Sequence, residues 1–143
     1  MPIARLNRDT LRALADSRLE ESRVLLENQF WTGAYYMTGL AVECALKSCL
    51  AREVKEYDFP DKEFVAKMYT HDLEKLFVLN GALWADLQSA IQNDDKLRGN
   101  WSTVKDWKDS KRYEIVEESE ARALYEASTA ADTGVMEWIR GRW

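Results

Sequence analysis

Glu43 interrupts an apolar run, with Leu40-Ala41-Val42 before it and Cys44-Ala45-Leu46 after it. A carboxylate carried into such a stretch needs a partner, because an unpaired buried charge costs more than the surrounding hydrophobic burial offsets. Two kinds of partner are open. Lys47 lies four residues on, in the acid-before-base order that supports a helix, and would form a local ion pair at the edge of a bundle. Alternatively, Glu43 accepts hydrogen bonds from a distant arginine or tyrosine and organises a polar pocket. Arg112 and Tyr113 are the candidate donors, since a guanidinium is a planar fork suited to carboxylate or phosphate. As ordinary surface residues they would instead be an exposed arginine beside a half-buried tyrosine. His71, the only histidine, reads either as a capping or packing group at a helix start or as a proton carrier. Glu43, Lys47, His71, Arg112 and Tyr113 are thus the candidate ligand-binding set, with no catalytic residue assigned.

Other chemistries are excluded by what the chain lacks. One histidine removes metal sites that need two, and neither a metal nor a cofactor is expected. The six glycines are scattered, and none forms a phosphate-cradling G-x-x-x-x-G-K or G-x-G-x-x-G loop. Six tryptophans read mostly as core or dimer contacts, with base stacking a lesser alternative. The net charge of −5 argues against holding duplex DNA by phosphate neutralisation, although a small basic groove is compatible with it.

The elements that must position these residues read as helices. Only Pro2 and Pro60 occur, so nearly the whole chain is free of the residue that best breaks helices. Asp9 or Thr10 caps a first amphipathic helix reaching about residue 29, with Leu11, Leu14, Leu25 and Leu26 near one face. Thr32 is the expected cap of a second helix, residues 33–53, apolar on more than one face and therefore central. Its small residues Gly39, Ala41 and Ala45 admit close neighbours. Residues 55–69 read as a loop with one turn of helix. A third helix, opened by Thr70, Asp72 and Glu74, stops at Asn80 and Gly81. A short helix over 83–93 follows, then a charged turn over 94–99. Trp101, Val104 and Trp107 recur every three residues in a segment too polar to assign. A last helix begins near Ser119 and carries one apolar stripe as far as Ile139.

The expected architecture is one all-α domain over residues 1–143, an up-and-down bundle of four core helices with one or two extra short helices. At 143 residues, 46% hydrophobic, the chain is long enough to bury a core without disulfides. Cys44 and Cys49 would point about 140° apart on a helix, so they read as buried thiols of a reducing compartment. The polar first ten residues hold no signal-peptide core, and no run of about eighteen apolar residues exists to span a membrane. A cytoplasmic location is expected.

Residues 30–53, FWTGAYYMTGLAVECALKSCLARE, followed after a variable loop by residues 70–81, THDLEKLFVLNG, resemble the HEPN domain (higher eukaryotes and prokaryotes nucleotide-binding). The pattern is an aromatic A-Y-Y, an E-x-A-L-K in the central helix and then H-D-L-x-x-L. The resemblance implies a helical bundle that dimerises, and in many members metal-independent endoribonuclease activity through an R-x(4 to 6)-H motif. This chain departs from that motif: no arginine precedes His71 by four to six residues, and no histidine follows Arg98, Arg112, Arg122, Arg140 or Arg142. Other members imply nucleotide binding or pairing with a nucleotidyltransferase-like partner in bacterial two-component systems. The leading expectation is a homodimeric, non-catalytic or weakly active domain binding a nucleotide or single-stranded RNA end around Glu43, Lys47, Arg112 and Tyr113. The alternatives are an RNA-cleaving toxin of a toxin–antitoxin pair, using Arg112 for phosphate and Tyr113 or His71 for proton transfer, and a protein-interaction subunit without a ligand.

Overall fold

The computed structural model describes residues 6–54, 58–59 and 61–143. Every regular element among them is helical, and none of these helices contains a proline. α1 (Arg8–Glu27) buries Leu11, Ala15, Ser22 and Leu26, whose intervals of four and seven keep them on one face. Its cap is Asn7, whose side chain accepts from the Thr10 amide at 2.8 Å. The expected caps Asp9 and Thr10 lie within the first turn instead, where Asp9 still faces the positive end of the helix dipole.

A three-residue reversal, with Gln29 in the left-handed region, leads into α2 (Trp31–Glu53). It starts two residues before the expected Gly33. Thr32 does not cap it: its hydroxyl accepts from the Val116 amide at 3.0 Å and ties a distant loop to the bundle. Val42, Leu46 and Leu50 are fully buried, while Leu40 is only partly so. Between α1 and α2 the buried Ser22 hydroxyl donates to the Ala34 carbonyl at 2.9 Å and meets Thr38, so the polar atoms of this contact are satisfied.

The expected loop over 55–69 contains α3 (Lys62–Met68), capped by Asp61; residues 55–57 and 60, like Pro2 and the rest of 1–5, lie outside the described residues. α4 (Leu73–Leu79) is capped by Asp72, which accepts from the Lys75 amide at 3.0 Å, and Thr70 accepts in turn from the Asp72 amide at 3.2 Å. Asn80 both ends α4 and caps α5 (Gly81–Asn93), so Gly81 opens a helix rather than following one. The expected turn over 94–99 is the first turn of α6 (Asp95–Lys105), because Asp94 accepts from the Leu97 amide at 3.0 Å. A 3-10 turn (Asp109–Tyr113) then leads to α7 (Glu118–Thr129) and α8 (Val135–Arg140).

The expected single last helix is therefore two. Asp132 adopts φ 63°, a conformation aspartate tolerates, and Gly134 packs so closely that a Cβ there would lie 2.6 Å from the Ser128 carbonyl. These divisions turn the expected four core helices and one or two extras into eight α-helices among the described residues. One cluster joins them: Leu46, Leu50, Leu73, Leu76, Phe77, Leu87 and Leu124 are buried with Trp101, Trp107 and Trp138. No helix among the described residues is long and apolar enough to cross a membrane.

Candidate functional site

One face of α2 carries Tyr36, Gly39, Glu43 and Lys47 at intervals of three and four residues. Glu43 is 5% exposed, and its carboxylate accepts at both oxygens: Oε1 lies 2.8 Å from His71 Nδ1 and Oε2 lies 3.3 Å from Lys47 Nζ. Glu43 thus has the local lysine expected as one alternative together with a distant donor. The distant donor is His71 rather than Arg112 or Tyr113. His71 reaches Glu43 because it directly precedes Asp72, the residue that fixes the start of α4, and α4 packs on α2.

Arg112 occupies a separate station on the same face. Its guanidinium donates to the Tyr36 hydroxyl at 3.1 Å and lies over the rings of Tyr36 and Tyr113, 5.7 and 4.9 Å from their centroids. Tyr113 is exposed, not half-buried. Tyr36 precedes Glu43 by seven residues, about 10 Å along the helix axis. The interval is occupied by Trp107, whose ring centroid lies 6.2 Å from that of Tyr36 and whose indole lies on the bare backbone of Gly39. A single pocket around all five candidates therefore does not form: Glu43, Lys47 and His71 meet, while Arg112 meets Tyr36 and Tyr113.

Beside the first group opens a cleft of about 450 Å³ between the start of α4 and the end of α6. His71, Thr70 and Asp72 form one wall; Lys105, Lys108, Asp109 and Ser110 stand on the other, above the buried Trp107. His71 is half-exposed there, and among the described residues only its Nδ1 is hydrogen-bonded, so Nε2 is available. Because the carboxylate can only accept, Nδ1 carries the hydrogen. Neutral, the imidazole offers a lone pair at Nε2; charged, it offers a second N–H. Lys105 and Lys108 were not singled out by sequence. Their signal was the K-D-W-K run, in which the tryptophan at 107 buries itself and leaves flanking lysines outside.

The local electrostatics follow from packing. Burial, and then the Glu43 charge, push the Cys44 thiol up, with Lys47 and Arg18 opposing. Arg112 is pushed up by its bonds to Tyr36 and Tyr113. On another face Tyr35 is pushed up to about 12 by burial and then by Glu120, Asp106 and Glu114. Among the described residues, no group of three or more histidine, cysteine, aspartate or glutamate side chains is arranged to hold a metal ion.

No protein-family model, curated protein or solved structure matches the chain.

Proposed function

We propose that the chain is a HEPN-like domain whose cleft beside Glu43, Lys47 and His71 binds the phosphate of a nucleotide or of a single-stranded RNA end without the family's usual ribonuclease motif. The observation carrying this reading is the 2.8 Å bond that fixes His71 on the buried Glu43 at a cleft edged by Lys105 and Lys108. Three cationic or cation-forming groups facing one cleft, His71, Lys105 and Lys108, favour a phosphate over a neutral ligand, and Ser110 adds a hydroxyl donor. Two carboxylates line the same cleft: Asp72 is engaged in capping α4, and Asp109 opens the 3-10 turn, so they oppose the two lysines and His71 only in part.

The test is titration of adenosine monophosphate and of a 5′-phosphorylated single-stranded RNA against the wild type, His71→Ala and Lys108→Ala. Each substitution should weaken binding about tenfold, and removing the RNA's terminal phosphate should do the same, since each deletes one charge-assisted contact worth about 1.5 kcal/mol or more. Absence of binding at millimolar ligand would overturn the proposal and leave a protein-interaction subunit as the better reading.

A second reading, cleavage of RNA by a degenerate site, is favoured by the same bond: a carboxylate that orients an imidazole and leaves its other nitrogen free is the arrangement general acid–base catalysis uses. Metal-independent cleavage abolished by His71→Ala would establish it in place of simple binding.

The same proposal includes a homodimer, or a nucleotidyltransferase-like partner, in the cytoplasm, where free Cys44 and Cys49 persist as thiols. Its support is an apolar surface near the Thr32–Val116 bond, where Phe30 is 62% and Ile115 94% exposed. Sedimentation of the isolated chain at twice its 16.6 kDa mass is expected, and a concentration-independent monomer would remove the homodimer.

A further inference from the structure

The start of α1, the end of α2 and the end of α8 meet at one extremity of the bundle, and five of the chain's eleven arginines gather there: Arg8, Arg12, Arg52, Arg140 and Arg142. Arg8 donates to the main-chain oxygen of Trp143 at 2.9 Å and Arg52 to the Arg142 carbonyl at 3.0 Å. Arg142 donates to the Trp138 carbonyl at 3.0 Å and lies over its indole at 3.8 Å. Arg12 and Arg140 lie over the Trp143 ring at 5.0 and 5.2 Å. Of these five, Arg140 alone has side-chain carboxylate partners among the described residues, Asp16 at 2.6 Å and Glu137 at 3.5 Å. Among the described residues Arg12, Arg52 and Arg142 are met by carbonyl dipoles and indole faces, which orient a guanidinium without cancelling its charge.

Three such cations on a chain of net charge −5 repel one another, and carbonyl capping alone would be served by fewer. All five are arginine, the side chain whose fork matches two phosphate oxygens. Arg52 and Arg142 are exposed and flank a shallow cleft of about 280 Å³. Glu53 and Asp86 stand on the same rim, yet neither comes within salt-bridge distance of an arginine among the described residues. Arg52 lies nine residues beyond Glu43, about 14 Å along α2, so this surface is distinct from the His71 cleft.

We propose that this extremity is a phosphodiester-binding surface in which Arg12, Arg52 and Arg142 hold the backbone of single-stranded RNA. A strand fits better than a small phosphate because the guanidiniums line a surface built from three elements and do not converge on one buried point. An anionic membrane fits less well, since Trp138 is buried and Trp143 lies beneath two arginines, so neither indole is free to enter lipid. The inference does not depend on ligand binding at the His71 cleft.

The test uses the full chain and a labelled oligouridine lacking terminal phosphates, followed by fluorescence anisotropy over a range of salt. Arg52→Glu with Arg142→Glu should weaken binding at least tenfold and lower the log–log salt slope by about 1.4, the value for two phosphate contacts on a single strand. Lys62→Glu with Lys96→Glu makes the same charge change at exposed positions elsewhere and should leave binding nearly intact. Circular dichroism verifies folding of each variant, and if the double variant is unfolded the single Arg52→Gln should still lower affinity and slope. Equal losses in the two charge-changed proteins, or no binding by the wild type, would overturn the proposal. So would arginine-dependent binding to phosphatidylserine-containing vesicles without binding to RNA. Loss of mononucleotide binding on His71→Ala concerns the cleft alone.

Discussion

Glu43 and His71 stand 28 residues apart in sequence and 2.8 Å apart in space, Oε1 to Nδ1. The carboxylate is buried and the imidazole half-exposed, so their bond joins the interior of α2 to the surface of the cleft. Replacing Glu43 with alanine removes the acceptor for His71 and for the largely buried Lys47. A loss of about 2 kcal/mol in urea unfolding is expected, below the full cost of breaking a buried pair because His71 is open to solvent. A double-mutant cycle with His71→Ala should show coupling of about 1 kcal/mol, whereas a cycle with Arg112→Ala should be additive. Coupling of Glu43 to Arg112 instead would contradict the placement of Arg112 on Tyr36.

The same bond predicts a tautomer. With Nδ1 donating to Glu43, neutral His71 should show its Nε2 in the unprotonated, imine-like range of the ¹⁵N spectrum. A chain with a single histidine needs no assignment by mutagenesis. Glu43→Gln presents an amide that rotates to accept or donate, so the population should shift toward the other tautomer, the common form of a free imidazole. An Nε2-protonated ring in the wild type would remove the oriented imidazole on which both functional readings stand.

Sequence exposed part of this arrangement because its local terms are strong. The apolar residues of α2 cover more than one face, which marks it as central, and Glu43 is conspicuous by interrupting them. The Lys47 pair follows from helical spacing alone. The identity of the distant partner does not, since it depends on how α4 docks against α2 nearly thirty residues further along the chain, and Arg112 and His71 offer equally suitable hydrogen-bond donors. Helix ends are hard to read where one residue stands between two helices: Asn80 and Asp94 resemble turn residues, yet the side chain of each caps the helix that follows. The break between α7 and α8 was hidden because the apolar stripe through Leu124, Ser128, Val135 and Ile139 continues across it. Lys105 and Lys108 were passed over because the segment around Trp107 is polar and brief.

Gly39 should be intolerant of any side chain. A Cβ there would lie 1.9 Å from Cε2 of Trp107, inside the volume of a buried ring. Gly39→Ala is favourable for an isolated helix, by roughly 1 kcal/mol, so a net loss must come from expelling the indole. We expect a loss of on the order of 3 kcal/mol and a red-shifted tryptophan emission. Trp107→Phe combined with Gly39→Ala should recover part of that loss, because the smaller ring leaves room for the methyl group. Unchanged stability in Gly39→Ala would mean that Trp107 does not rest on α2.

The two thiols provide an independent measure of the charge at Glu43. Burial pushes both Cys44 and Cys49 up, and Glu43 adds its negative charge at Cys44. A raised thiol holds less thiolate at any given pH, and the thiolate is the nucleophile. Alkylation by iodoacetamide near neutral pH should therefore be slow in the native protein and fast in urea, where the thiols return to about 8.5. Half-buried Cys44 should react before the buried Cys49. Glu43→Gln removes the adjacent negative charge while Lys47 and Arg18 remain, so the Cys44 thiol should fall and its native-state rate rise a few-fold. Cys49 lies about one and a half turns further along α2, where Glu43 does not contribute to its shift, and its rate should not change. Peptide mass spectrometry resolves the two sites in one reaction. Equal acceleration at both would indicate loosening of α2 rather than a lost charge, and no acceleration at Cys44 would mean that Glu43 does not act on it.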